Sequence, residues 1–77
     1  MTTRAHVLIN TEVGKAAEVA EGVRKLPGVR VADVVTGPYD IVLTIEGSDP
    51  NDIGKVVLTK IHGLPGLKAT TTLIALG

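Results

Sequence analysis

The 77-residue sequence contains no cysteine, no phenylalanine and no tryptophan, and its single aromatic residue is Tyr39. Without cysteine there is neither a disulfide framework nor a thiolate ligand for a metal ion. The two histidines, His6 and His62, lie too far apart in the sequence to suggest a metal cluster. We therefore expect neither a metal nor a cofactor.

An excess of charge of one sign is also missing, because eight basic residues are balanced by eight acidic residues. This balance gives no electrostatic attraction for nucleic acid or an anionic membrane. No apolar stretch approaches the roughly 18 residues needed to cross a bilayer, and the first residues lack the apolar run of a secretory signal. The sequence predicts a soluble, cytoplasmic protein without direct contact to nucleic acid or membrane.

Apolar residues make up 44 % of the chain, and almost all of them are valine, leucine, isoleucine or alanine. The length supports one domain, residues 1–77, and a domain of this size buries only about 60 % of its unfolded surface. With disulfides and metals excluded, oligomerisation is the remaining way to stabilise so small a core. We therefore expect a homo-oligomer.

The first half of the chain predicts a strand, a helix and a second strand. The apolar run Val7-Leu8-Ile9 is typical of a buried strand. Apolar residues recur at three- and four-residue spacing from Val13 to Leu26, which predicts an amphipathic helix capped by Asn10 or Thr11. From Val29 to Thr36, a mainly apolar set of residues alternates with a second, mixed set, and this alternation predicts the second strand.

The second half begins with Gly37-Pro38, which can form a two-residue hairpin turn of type II′. A third strand follows over 41–46. Ser48-Asp49-Pro50 is a strong helix start, and helical spacing continues to His62-Gly63. Leu67 to Leu76 is predicted to be the last strand.

The two halves resemble one another. Leu26-Pro27-Gly28 closes the first helix and opens a strand, and Leu64-Pro65-Gly66 does the same after the second helix. Two β-α-β halves joined by a hairpin predict the α+β class and a ferredoxin-like βαββαβ fold. That fold has an antiparallel four-stranded sheet with two helices on one face.

The strand patterns also predict an assembly. Ile41, Leu43 and Ile45 are expected to face the helices. The other strands carry apolar residues on both faces, and an exposed face of this kind usually marks an interface. We therefore predict sheet-to-sheet dimerisation. The expected groupings are Leu8, Val34 and Ile74 on one side and Val7, Val31 and Leu73 on the other.

Asp40 and Tyr39 stand where the third strand begins, beside backbone donors of the hairpin. A carboxylate there could take the ammonium of a zwitterion while amides or hydroxyls take its acid group. The hydroxyls of Thr70-Thr71-Thr72 could line such a site. Alternatively, Asp40 only holds the turn, Tyr39 only fills the core, and the threonines only reflect β-propensity.

Two other functions fit the topology. His6 could be the base of a small dimeric α/β-barrel enzyme of the cofactor-free oxygenase kind, although a partly buried strand histidine is the simpler interpretation. The second alternative is a regulatory domain of the ACT type, a class that also binds amino acids. Its usual Gly-rich loop after the first strand is poorly matched by Gly14 alone.

The stretch from Val34 to Ile45, with Gly37-Pro38-Tyr39-Asp40 at its centre, resembles the signature hairpin of a known regulator family. It is similar to the C-terminal effector-binding (RAM) domain of the Lrp/AsnC (leucine-responsive and asparagine-responsive) regulators. Leu64–Leu67 and the Thr-rich segment 70–76 also resemble the end of that domain. The similarity extends from about Ala5 to Leu76.

This resemblance implies a dimeric α/β barrel that assembles further into tetramers or octamers and binds amino acids between dimers. It implies a non-enzymatic sensor acting on transcription or amino-acid metabolism through partners, including full-length Lrp/AsnC regulators. The sequence shows no helix-turn-helix, so a stand-alone sensor domain is expected. The effector-site residues carried over are Gly37, Tyr39 and Asp40, with Thr70 and Thr72 as weaker candidates.

Overall fold

The computed structural model describes residues 2–77 and confirms the βαββαβ order. The elements are β1 (Thr3–Thr11), α1 (Ala16–Arg24), β2 (Val29–Val34), β3 (Ile41–Gly47), α2 (Pro50–Val56) and β4 (Leu67–Ile74). The strands form one sheet in the order β2-β3-β1-β4, and all three neighbouring pairs are antiparallel. Within residues 2–77, no helix has the length and apolar character needed to span a membrane.

The core lies between one face of the sheet and the two helices. Alternate side chains of β1 and β3 point into it, as the period of two in a strand requires. No polar side chain within residues 2–77 is buried. The core consists of Ala5, Val7, Ile9, Val19, Ala20, Val23, Ala32, Ile41, Leu43, Ile45, Ile53, Val57 and Ile61.

The other sheet face, which we call the open face, is covered by no helix. Strand register assigns Leu8, Val31 and Leu73 to it and places Val7, Val34 and Ile74 on the helix face. The predicted groupings had exchanged Val7 with Leu8 and were wrong. Alternation fixes the faces within one strand, but only the register between strands aligns their faces with each other.

The first helix begins later than its apolar pattern predicts. β1 continues through Thr11, and a turn follows in which the Lys15 N–H donates to the Glu12 carbonyl over 3.0 Å. Gly14 has φ +79° in this turn. Val13 is therefore a fully exposed turn residue, and the prediction that Asn10 or Thr11 caps the helix is wrong. Lys15 occupies the cap without a side-chain hydrogen bond.

The second helix begins as predicted. Asp49 Oδ1 accepts a hydrogen bond from the Asp52 N–H over 3.0 Å, and Pro50 takes the first helical position. After Val56 the helix continues as one π-helical turn, Val57–Ile61, in which the His62 N–H donates to the Val57 carbonyl. Ile53, Val57 and Ile61 all face the sheet.

The repeated Leu-Pro-Gly segments form matching turns. Val29 N–H donates to the Leu26 carbonyl over 3.3 Å, and Leu67 N–H donates to the Leu64 carbonyl over 3.4 Å. Gly28 and Gly66 each have φ +88°, as the third position of a type II turn requires. Their carbonyls accept hydrogen bonds from the N–H groups of Glu46 and Glu12, respectively. Each turn therefore docks the start of a strand onto the sheet.

Substitution of Gly28 tests this docking. A Cβ at Gly28 would overlap the Glu46 carbonyl oxygen, whereas a Cβ at Gly14 would meet no atom within 4 Å. Both positions have positive φ, so Gly14→Ala should cost about 1 kcal/mol for the backbone conformation alone. We expect Gly28→Ala to cost at least about 2 kcal/mol more, because packing strain is added. Denaturant unfolding at one protein concentration measures both values, and equal losses would contradict the docking role.

Candidate functional site

The β2–β3 hairpin carries the three residues most strongly predicted to bind a ligand. The Val35 N–H donates to the Asp40 carbonyl over 2.9 Å, which leaves residues 36–39 as the loop. The predicted two-residue turn at Gly37-Pro38 is therefore wrong. Gly37 does have a positive φ, +141°, but the loop is broader than a type II′ turn.

Asp40 joins this hairpin to the end of β1. Its backbone N–H donates to the Ile9 carbonyl over 2.9 Å, and its Oδ2 accepts a hydrogen bond from the Thr11 N–H over 2.7 Å. The residue is half-buried. Within residues 2–77, no hydrogen bond to the other oxygen, Oδ1, is present. One carboxylate oxygen is thus held in place while the second keeps its capacity to accept.

A second connection joins the loop to β1. Asn10 Nδ2 donates to the Pro38 carbonyl over 2.9 Å. Sequence reasoning assigned Asn10 to a helix cap and missed this contact, since the two residues are 28 positions apart. Tyr39 is half-buried beside Asp40, and Gly37 and Pro38 are exposed. The structure therefore brings Gly37, Tyr39 and Asp40 together at one end of the sheet.

Thr70 and Thr72 lie on β4, apart from the hairpin. Thr70 pairs with Ile9 on the far side of β1 from Asp40, so two strand spacings, about 10 Å, separate the two backbones. Its hydroxyl is 2.8 Å from Nε2 of His62. Thr72 pairs with Val7 and is exposed. One protomer does not bring these threonines to Asp40.

His6 lies half-buried on the open face, where its Nδ1 is 3.1 Å from Oγ1 of Thr44. An enzyme built around His6 would need an enclosed pocket there. A groove of about 470 Å³ lies at the end of the sheet opposite the hairpin and is lined by Arg4, Glu46, Pro50 and residues 2–3 and 74–77, without His6. Residues 2–77 contain no group of three or more His, Asp or Glu side chains able to hold a metal.

Comparison with known proteins identifies the family of this chain. A family model described as the Lrp/AsnC ligand binding domain matches residues 4–77. A helix-turn-helix-type transcriptional regulator of Pyrococcus furiosus is 33 % identical over 76 residues, which cover 95 % of this chain and 51 % of the regulator. The chain spans about half the length of the curated regulators it matches, or less.

Solved structures show the same fold. A crystal structure from Thermus thermophilus superposes with a TM-score of 0.92 at 33 % identity, covering 97 % of this chain and 94 % of that one. A Neisseria meningitidis transcriptional regulator in complex with L-methionine superposes with a TM-score of 0.86 at 25 % identity, covering 97 % of this chain and 50 % of that one.

The family model describes a ligand-binding domain, and the Pyrococcus and Neisseria relatives are transcriptional regulators, not enzymes. The matched range, residues 4–77, contains the Gly37-Pro38-Tyr39-Asp40 hairpin and both Leu-Pro-Gly turns. This chain therefore belongs to the Lrp/AsnC family, as a ligand-binding domain.

Proposed function

We propose that this domain is a sensor that binds a free amino acid at the β2–β3 hairpin and acts through its assembly in transcription or amino-acid metabolism. The observation that carries the proposal is the Asp40 carboxylate, fixed through Oδ2 by the Thr11 N–H while Oδ1 stays available. The L-methionine complex of the Neisseria regulator supports the ligand class. A cytoplasmic location accompanies such a role.

The chemistry of the hairpin suits a zwitterion. An ammonium group has three donors, and a hydrogen bond from it to Asp40 Oδ1 is charge-assisted and so stronger than a neutral one. Gly37 has nothing within 4 Å of the position that a side chain would occupy. This open space lets a ligand carboxylate approach the loop backbone, next to Tyr39.

The separation of Thr70 and Thr72 from Asp40 supports a site between protomers. The ammonium and carboxylate of one amino acid are much closer together than the two strand spacings between Asp40 and Thr70. We therefore assign the threonines to a second contact surface, supplied to the ligand by a neighbouring copy. A tetramer or octamer of dimers would create such a junction.

The open face supports the dimer from which those assemblies are built. Leu73 and Val31 are 49 % and 50 % exposed, and Leu8 and Val42 lie half-buried between them. Each of the four strands thus contributes an apolar residue to this face, which also carries the polar pair His6 and Thr44 in register between Val31 and Leu73. We propose that two copies stack these faces, and that full-length Lrp/AsnC regulators could join through the same face.

A ligand at an interface acts by binding one assembly better than another. An amino acid held by Asp40 of one copy and by a threonine of another stabilises the assembly that contains both. The sensor output is then a change in assembly state, without any catalytic step. Neither direct nucleic-acid binding nor membrane binding is needed for this output.

A charged substitution on the open face tests the dimer. Leu73→Asp places a carboxylate within the proposed interface but on the edge strand β4, where the monomer tolerates polar residues. We expect it to convert a dimer into a monomer in light scattering and sedimentation, since burying an unpaired charge is costly. Val13→Asp, at a fully exposed turn residue, is the matched control and should remain dimeric. A Leu73→Asp protein that dimerises as the wild type does would contradict the stacking.

A thermal-shift screen of the twenty amino acids tests the ligand. At about a hundred times its Kd, a ligand stabilises its site by roughly 2.7 kcal/mol, and each kcal/mol raises the Tm of a domain this size by about 4–8 °C. Asp40→Asn is the informative variant. It keeps an oxygen for the Thr11 N–H but removes the negative charge, so we expect it to fold and to lose most of the shift.

Glu21→Gln removes one negative charge from an exposed position on α1 and should leave the shift intact. Absence of a shift with every amino acid in a folded wild-type protein would refute amino-acid sensing. An equal thermal shift in Asp40→Asn would show that the ligand binds elsewhere than at the hairpin.

A further inference from the structure

The loop of the hairpin has one anchor to the rest of the domain. Residues 36–39 lie between Val35 and Asp40, whose own hydrogen bond closes the loop. Within residues 2–77, the contact from Asn10 Nδ2 to the Pro38 carbonyl, 2.9 Å long, is the single hydrogen bond that joins residues 36–39 to another element. The loop's orientation therefore depends on this side chain.

That anchor also sets the direction of a neighbouring donor. The Pro38 carbonyl and the Tyr39 N–H belong to one planar trans peptide, in which the two groups point in opposite directions. When the carbonyl is held toward Asn10, the Tyr39 N–H is directed away from β1. No acceptor for this N–H is present among residues 2–77.

From this geometry we infer that Asn10 is a positioning residue of the amino-acid site, which acts by aiming the Tyr39 N–H at the ligand carboxylate. The inference rests on the proposed function and adds to it a residue outside the hairpin. Asp40 then accepts a hydrogen bond from the ligand ammonium through Oδ1. The Tyr39 N–H, oriented by Asn10 through the Pro38 carbonyl, donates to the ligand carboxylate.

The residue type fits this role. Asparagine carries an NH₂ donor, which a carbonyl acceptor requires, whereas an aspartate has none when ionised. The fixed φ of Pro38 removes one rotation from the loop, so a single hydrogen bond suffices to set the next peptide. A hydrogen bond of this kind is worth about 1 kcal/mol, so its loss can lower the population of the held loop orientation about fivefold and weaken the affinity by the same factor.

The test compares wild type with Asn10→Ala, Asn10→Gln and the control Asn51→Ala, which removes an exposed asparagine from α2. Each of the twenty amino acids is titrated by calorimetry, and ¹⁵N relaxation of the backbone amides is measured without ligand. We expect Asn10→Ala to bind about fivefold more weakly, to lower the ligand-free Tm by several degrees because one hydrogen bond is lost, and to lower the order parameter of the Tyr39 N–H but not that of the Val35 N–H. Asn10→Gln should recover part of the affinity because it retains the donor.

Wild-type affinity in Asn10→Ala, together with lost affinity in Asp40→Asn, overturns the inference and leaves the proposed function standing. Equal losses of affinity in Asn10→Ala and Asn51→Ala also overturn it. If the wild-type protein binds none of the twenty amino acids, the proposed function fails and the inference fails with it.

Discussion

The close approach of two glycine backbones to their neighbours is the constraint on which the fold depends. The core holds no aromatic side chain, so aliphatic residues must fill the space between helices and sheet. That space has to be narrow. Gly28 permits β2 to begin directly against the Glu46 carbonyl, and Gly66 permits β4 to begin against Lys15, where an added Cβ would lie 2.8 Å from the Lys15 Cβ. A larger residue at either turn would push a helix–strand unit away from the sheet.

Features encoded by neighbouring residues were predictable from the sequence. The element order, the Asp49-Pro50 helix start and both Leu-Pro-Gly turns are confirmed, because each depends on residues within a few positions. The errors arose at features that depend on contacts between segments far apart in the sequence. β1 extends through Thr11 because it pairs with β4, and this extension removes Asn10 from the role of helix cap. The alignment of Val7 with Val34 on one face follows from strand register, which the pattern within a single strand does not contain.

For the candidate site too, the local features were predictable and the long-range contacts were not. The sequence placed Gly37, Tyr39 and Asp40 on one hairpin, and the structure keeps them together there. It did not indicate that Asp40 would bond to Thr11 or that Asn10 would hold Pro38, since both contacts join residues nearly thirty positions apart. The Asp40 side chain does not bond the hairpin backbone, as the alternative interpretation expected, but accepts from the Thr11 N–H at the end of β1. The carboxylate is a structural link through one oxygen, and this link fixes the position of the other.

The fixed position of Asp40 matters for how a ligand could act at a distance. Thr11, which holds Asp40, is followed by Glu12, whose N–H donates to the Gly66 carbonyl over 2.8 Å. Gly66 in turn packs against Lys15 at the start of α1. The hairpin, the end of β1 and the second Leu-Pro-Gly turn thus form one hydrogen-bonded end of the domain. Under the proposed function, an amino acid bound at Asp40 would contact a carboxylate that is already held by Thr11, so little of its binding energy would be spent on ordering that group and more would be left to favour one assembly over another.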